Sequence, residues 1–146
     1  MAEWSANAEQ VINPGEAVVF TDNPVPCNLG LIRHRDGTGN FLLSGSRGCP
    51  CSPSANYFVD FGANIAIPTG ETVGEISLAI TVDGATIPSS QMIVTPAAVE
   101  EYANVSRAIS VPIWRGCCQT VTVQNTSDIP ISVQNTNIVF DRPDLR

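Results

Sequence analysis

The chain has 146 residues, enough for one domain with its own core, and holds no apolar run long enough to span a bilayer. Seven basic side chains, all arginine, stand against fourteen acidic ones, and a formal charge of −7 argues against nucleic acid, whose phosphates reward clustered positive charge. Charged residues make up only 14%, against about 25% in an average domain, so much of the surface is Ser, Thr, Asn and apolar contact area, which suits a protein that works inside an assembly.

Valine and isoleucine number 28 against six leucines. Branching at Cβ restricts the side chain in a helix and fits a pleated surface, so the composition predicts an all-β protein. The opening Met1-Ala2-Glu3-Trp4-Ser5-Ala6 lacks the basic and apolar regions of a secretory signal, which predicts a chain made and left in a cytosol. Residues 1–7 read as an N-terminal arm, with Trp4 anchoring it on a neighbouring surface, because so bulky an aromatic is wasted in water. Strand-like runs follow at Ala8 to Ile12 and Ala17 to Thr21, closed by Asn13-Pro14-Gly15 and Asp22-Asn23-Pro24. Leu29 to Arg33 and Phe41 to Leu43 flank Asp36-Gly37-Thr38-Gly39-Asn40, and Ser44 to Ser54 has no strand character. Tyr57, Val59, Phe61, Ala63, Ile65 and Ile67 then alternate without a break, one long strand with a face committed to a core.

Ile76, Leu78, Ile80 and Val82 form the next alternating run, and Asp83-Gly84 supplies the positive φ values of a two-residue hairpin whose return strand runs to about Thr95. Pro96 to Tyr102 has room for one helical turn. Val105, Ile109, Val111 and Ile113 share a face up to Trp114, Arg115 to Cys118 turns, and Thr120 to Gln124 alternates again. The last strand begins with Ile129, Ile131 and Val133 in one phase and ends with Ile138 and Phe140 in the other, which predicts a bulge near Asn135 to Asn137. The result is about ten strands in one domain over residues 8–141, with 142–146 as a tail.

Ten short strands in this order, with long ones at Tyr57, Val105 and Ile129, resemble the jelly-roll β-sandwich of the C1q and tumour-necrosis-factor-like superfamily. The stretches from Arg33 to Gly45 and from Gly62 to Pro68 look like those of small proteins of anaerobic bacteria and their phages, some of them virion surface proteins. These resemblances imply a homotrimer. They also imply a non-enzymatic structural role at a virion surface, assembled in a bacterial host cytoplasm, as a capsid decoration or part of a fibre in contact with other virion proteins such as a major capsid protein. A carbohydrate- or receptor-binding head and a spore or cell-surface layer protein are the alternatives. No membrane partner and no cofactor are expected.

In the jelly-roll order the loop with Cys49 and Cys51 and the turn with Cys117 and Cys118 fall at one end of the sandwich, beside the Asp83-Gly84 hairpin. Disulfides, a zinc site and unlinked thiols are all open to this set, although Cys-x-Cys with Cys-Cys departs from the usual zinc spacing. Catalytic sets are sparse: His34, the one histidine, sits between Arg33 and Arg35, where a pairing with a cysteine is the only nucleophile and base arrangement on offer. Asp36 to Asn40 resembles a calcium loop only in part and reads better as a turn. Arg33, Arg35 and Arg47 form the one basic concentration, suited to bidentate carboxylate pairs on an acidic partner. The sequons at Asn104 and Asn125 read as chance. Phe58, Ala66, Ala108 and Trp114 fall opposite the core face of their strands and are the subunit-interface candidates together with Trp4. Arg107 shares the register of Val105 and Val111, which predicts a buried guanidinium paired with Asp60, Glu101 or a carboxylate of an adjacent subunit.

Overall fold

Alternation of buried and exposed side chains, the signature of a half-buried strand, runs through most of the chain in the computed structural model, which describes residues 1–27, 30–45, 54–114, 116 and 118–142. The strands are β1 (Ala2–Ala6), β2 (Gln10–Ile12), β3 (Asp22–Val25), β4 (Ile32–His34), β5 (Phe41–Leu43), β6 (Ser54–Ala66), β7 (Ile76–Val82), β8 (Ala85–Thr86), β9 (Met92–Val94), β10 (Ala103–Trp114), β11 (Gln119–Asn125) and β12 (Ile131–Asp141). They pair antiparallel into two sheets. The first runs β10-β6-β12-β1-β3 with β2 also on β12, and the second runs β4-β5-β11-β7-β8 with β9 also on β7. Tyr57, Phe61, Ile65, Ile113, Ile138 and Phe140 of the first sheet meet Phe41, Leu43, Leu78, Ile80, Val121 and Val123 of the second in one buried cluster. The protein is an all-β jelly-roll sandwich, as its patterning predicts.

β6 and β10 pair over their whole lengths, from Ala103 opposite Ile65 to Trp114 opposite Ser54, without a register shift. The phase change in β12 is where the apolar pattern places it. Its pairing with β6 slips between Gln134 and Asn137, and Asn135 adopts φ 52°, a left-handed conformation that Asn tolerates better than most residues. Asp83 and Gly84, at φ 50° and 82°, make the expected tight hairpin. The return strand is broken in two, because Pro88–Ser90 forms a 3-10 turn between β8 and β9.

Three expectations fail for identifiable reasons. Residues 1–7 are not an arm: β1 lies inside the first sheet, with Ala2 opposite Phe140 and Ala6 opposite Thr136 on one side and β3 on the other. The segment from Ala17 to Thr21 makes only isolated bridges, Ala17 with Gln124 and Phe20 with Thr38, while the Asp-Asn-Pro expected to turn forms β3. Pro24 is tolerated there because β3 is an edge strand, where a missing N–H costs no ladder bond. Residues 96–102 form a bend at 97–98 and a turn at 99–100 without a helical segment.

Two side chains substitute for backbone. The Gln10 amide donates to the Val19 carbonyl and accepts from the Val19 N–H, both at 2.9 Å, so it stands in for a strand rung at Val19, between the isolated bridges of Ala17 and Phe20. Asn125, 1% exposed, donates at 2.9 Å to the carbonyls of Ile12 and Ile129 and accepts from the N–H and hydroxyl of Ser127. One amide thereby ties β2, β11 and the turn before β12.

Candidate functional site

Even-numbered residues of β6 and β10 point away from the core, and the strand register turns them into rows. Trp114 lies beside Ser54, Pro112 beside Asn56, Ser110 beside Phe58 and Ala108 beside Asp60. β12 extends the rows, with Val139 next to Asp60, and β1 adds Glu3 next to Val139. Phe58 is 43% and Trp114 61% exposed, Ala108 and Pro112 are exposed, and Val139 is half-buried. The β6 and β10 rows from 54 to 60 and from 108 to 114 carry a single charge, Asp60. A sheet face with this much open apolar surface and so little charge is chemically equipped to be covered by another protein surface.

Phe58, Ala108 and Trp114 therefore share one open face, as the alternation predicts. The other two interface candidates do not. Trp4 is 3% exposed and packs edge-on against Phe41, His34 and Phe140, with ring centroids 5.1, 5.7 and 6.0 Å away, because the alternation of β1 turns it inward with Ala2 and Ala6. Ala66 is fully buried beside Ser132. There the segment before β10 is tied back across the end of β6 by the Glu100 N–H, which donates to the Ile67 carbonyl at 2.8 Å.

Arg107 is exposed, contrary to the expectation of a buried ion pair. The register reasoning holds, since no bulge interrupts β10. What it misses is that β10 is the edge of its sheet, so the side chain runs out through the side of the sandwich and its guanidinium donates to the Gln91 carbonyl at 3.1 Å.

Gly45 N–H donates to the Gly116 carbonyl at 3.0 Å, and Asp83 accepts from the Thr120 N–H and the Gln119 amide, so the flanks of the cysteine segments and the 83–84 hairpin do meet at one end. Cys118 is disulfide-bonded and accepts a hydrogen bond from Arg33 at 3.4 Å, whereas Cys49, Cys51 and Cys117 lie outside the described residues. Arg47 does as well.

His34 stacks on Phe41 with centroids 4.2 Å apart and lines a cleft of about 570 Å³ with Trp4, Asn23, Pro26, Cys27, Ile32, Arg33 and Asp36. Histidine and thiol thus do share a cleft. The ring nitrogens, however, lie 3.0 Å from the Asn40 carbonyl and 3.2 Å from the Phe20 carbonyl, so each faces backbone and neither is presented to Cys27. The 36–40 loop is a turn tied to the same place, with Gly37 N–H donating to the Phe20 carbonyl and Phe20 N–H to the Thr38 carbonyl.

A second titratable group stands apart. Burial first, then the negative charges of Glu9 and Glu100, push the Tyr102 phenol above its usual 10.0.

No protein-family model matches the sequence, and no curated protein does. Solved structures do resemble the fold. The globular domain of zebrafish complement 1qA protein superposes with a TM-score of 0.61 at 13% identity, covering 94% of this chain and 94% of that one. Eiger TNF from S. frugiperda superposes with a TM-score of 0.67 at 12% identity, covering 97% and 90%. At such identities the likeness is one of fold.

Proposed function

We propose that the chain is a non-enzymatic structural protein that assembles as a homotrimer through the outer face of β6 and β10. The observation that carries this reading is the open apolar surface of Phe58, Ala108, Pro112 and Trp114 on two strands locked in one unbroken register. A rigid sheet presents such a surface without an ordering cost, which favours repeated, symmetric contact. The trimer, rather than another order, follows from the superfamily resemblance. A place on a virion surface, against a major capsid protein or within a fibre in a bacterial host, is the finer part of the proposal and is supported by the resemblance of residues 33–45 and 62–68. The sugar-binding alternative finds less support. It needs aromatic faces gathered in a cleft, whereas Trp4 and Tyr57 are core residues and Trp114 stands on an open strand.

Sedimentation equilibrium at micromolar concentration tests the assembly, with a trimer mass expected for the protein and a monomer mass for Phe58→Glu with unchanged circular dichroism. A monomeric wild type overturns the reading. Antibodies raised against the purified protein should decorate intact phage particles, and failure to label any particle removes the virion assignment while leaving the trimer.

A further inference from the structure

The turn after β2 joins two arms that belong to different sheets. β2 pairs with β12 of the first sheet, whereas Ala17 bridges Gln124 of β11 in the second. The Glu16 N–H closes the turn by donating to the Asn13 carbonyl at 3.0 Å, and beyond it the arms diverge, with the Gln10 amide spanning the opening to Val19. That opening is a groove of about 330 Å³ with apolar walls of Ala6, Ala8, Val11, Ile12, Ala17 and Val19, of which Val11 is 53% exposed. Glu9 and Glu16 also line it, both exposed, one just before β2 and one at the turn, and no basic side chain lines it among the described residues. Neither carboxylate forms an ion pair among the described residues. The chain contains no lysine, so an alkylammonium group that reaches this groove comes from another molecule.

We propose that this groove binds a free aliphatic diamine, one ammonium meeting Glu9, the other meeting Glu16, and the methylene chain lying along the apolar walls between them. Three properties of the groove select that class. An ionised carboxylate only accepts hydrogen bonds, and an ammonium offers three donors without accepting any. The two carboxylates are spaced: Glu9 and Asn13 stand at opposite ends of β2, about 13 Å apart at the rise of a strand, and Glu16 is held at Asn13 by the backbone bond and by the Asn13 amide at 3.4 Å. Several methylenes bridge such a span, and a bare metal ion does not. Exposed Val11 and half-buried Val19 give those methylenes a contact that a hydrated ion cannot use. Glu9 also faces the Tyr102 phenol, which stays neutral at pH 7 and leaves the carboxylate charge uncompensated. The formal charge of −7 favours a dication over a monocation throughout.

Side-chain NMR of the intact protein at neutral pH and low ionic strength, where exposed charges are least screened, reads the site directly. Hexamethylenediamine is expected to shift the Val11 and Val19 methyl signals and the Glu9 and Glu16 carboxyl carbons saturably in the millimolar range. It should bind several-fold more tightly than hexylamine, which has the stem with one charge, and than magnesium ion, which has two charges and no stem. Glu9→Gln and Glu16→Gln should each weaken the diamine about threefold, the loss of one exposed ion pair, with unchanged melting temperatures showing that the fold is intact. Non-saturating shifts, hexylamine or magnesium binding as tightly as the diamine, or diamine binding unaffected by both substitutions would each overturn the proposal. The groove lies on the far side of β12 from β6 and β10, so the two readings fail separately: sedimentation reports on the trimer, and these shifts report on the groove.

Discussion

Replacing Asn125 by alanine should unfold the protein well below its normal melting temperature, although the substitution removes almost no apolar contact. The side chain is 1% exposed and serves four partners: the carbonyls of Ile12 and Ile129 as donor, and the N–H and hydroxyl of Ser127 as acceptor. Alanine takes the amide donor away from the carbonyl of the buried Ile12. The Ile129 carbonyl keeps one weaker donor, the Ser127 hydroxyl at 3.2 Å. Four hydrogen bonds of a buried amide at about 1 kcal/mol each, less what the Ser127 hydroxyl restores at Ile129, give a cost of about 3 kcal/mol. For a domain of this size that lowers the melting temperature by about 10 °C. Asn125→Asp sharpens the test. It keeps the shape but turns a carboxylate toward two carbonyl oxygens, so it should be worse than alanine at neutral pH. Burial holds that carboxyl protonated to higher pH in the folded state than in the unfolded one, so the deficit shrinks as pH falls toward about 4, while that of Asn125→Ala stays constant. Urea titrations of both variants beside Asn13→Ala, an exposed asparagine, measure the effect. A cost for Asn125→Ala no larger than that for Asn13→Ala would show that the amide is not a tie between elements.

Gln10→Glu keeps the acceptor for the Val19 N–H but loses the donor to its carbonyl, so chemical denaturation should show a loss of about 1–2 kcal/mol, with Gln10→Ala losing at least as much. Gly39→Ala would drive a Cβ into the Val18 carbonyl oxygen and to 2.8 Å from the Ala17 Cβ, and the backbone shift it forces should cost about 3 kcal/mol in thermal melts. Arg107→Met should change stability by no more than about 0.5 kcal/mol, since the guanidinium is exposed and its bond to Gln91 lies at the surface. Because the folded state holds the Tyr102 proton more tightly than the unfolded chain, stability should fall as pH rises above 10.0, and Tyr102→Phe should make that alkaline decline shallower in pH-dependent melts.

Where an element's identity rests on local alternation, the sequence is a good guide. β6 and β7 carry apolar residues at every second position, β10 does so except at Arg107, and the phase slip in β12 is visible in the spacing from Val133 to Ile138. β1 carries the same signal in miniature, Ala2, Trp4 and Ala6 buried between Glu3 and Ser5, but two of its three inward residues are alanines, and an alanine says little about which way it faces. β3 is hidden by Pro24, whose meaning reverses once the strand is known to be an edge. Arg107 fails for a related reason: its phase is a local property, while its exposure depends on where β10 lies in the sheet. Phe58, Ala108 and Trp114 are legible as one face because two long strands stay in register. The clefts around His34 are legible only as the Arg33 and Arg35 concentration, since their walls assemble from β1, β3, β4, β5 and the turn between the last two.

The position of β1 has a consequence for how the chain is born. Synthesis delivers it first of the described strands, yet its partner on one side, β12, is delivered last of them, so Ala2 waits for Phe140 across a long stretch of chain. Until β12 has left the ribosome, the first sheet exists only as two incomplete pairs, β1 with β3 and β6 with β10, each with an open edge facing the gap that β12 will fill. Completion is then a single late insertion between β6 and β1, a step of long loop closure that places this sandwich among slow folders. Removing residues 1–7 would not trim a loose end. It would leave residues 136–140 of β12 open on one side and β3 without its strand neighbour, and the shortened chain should collect in aggregates rather than as a smaller version of the same assembly.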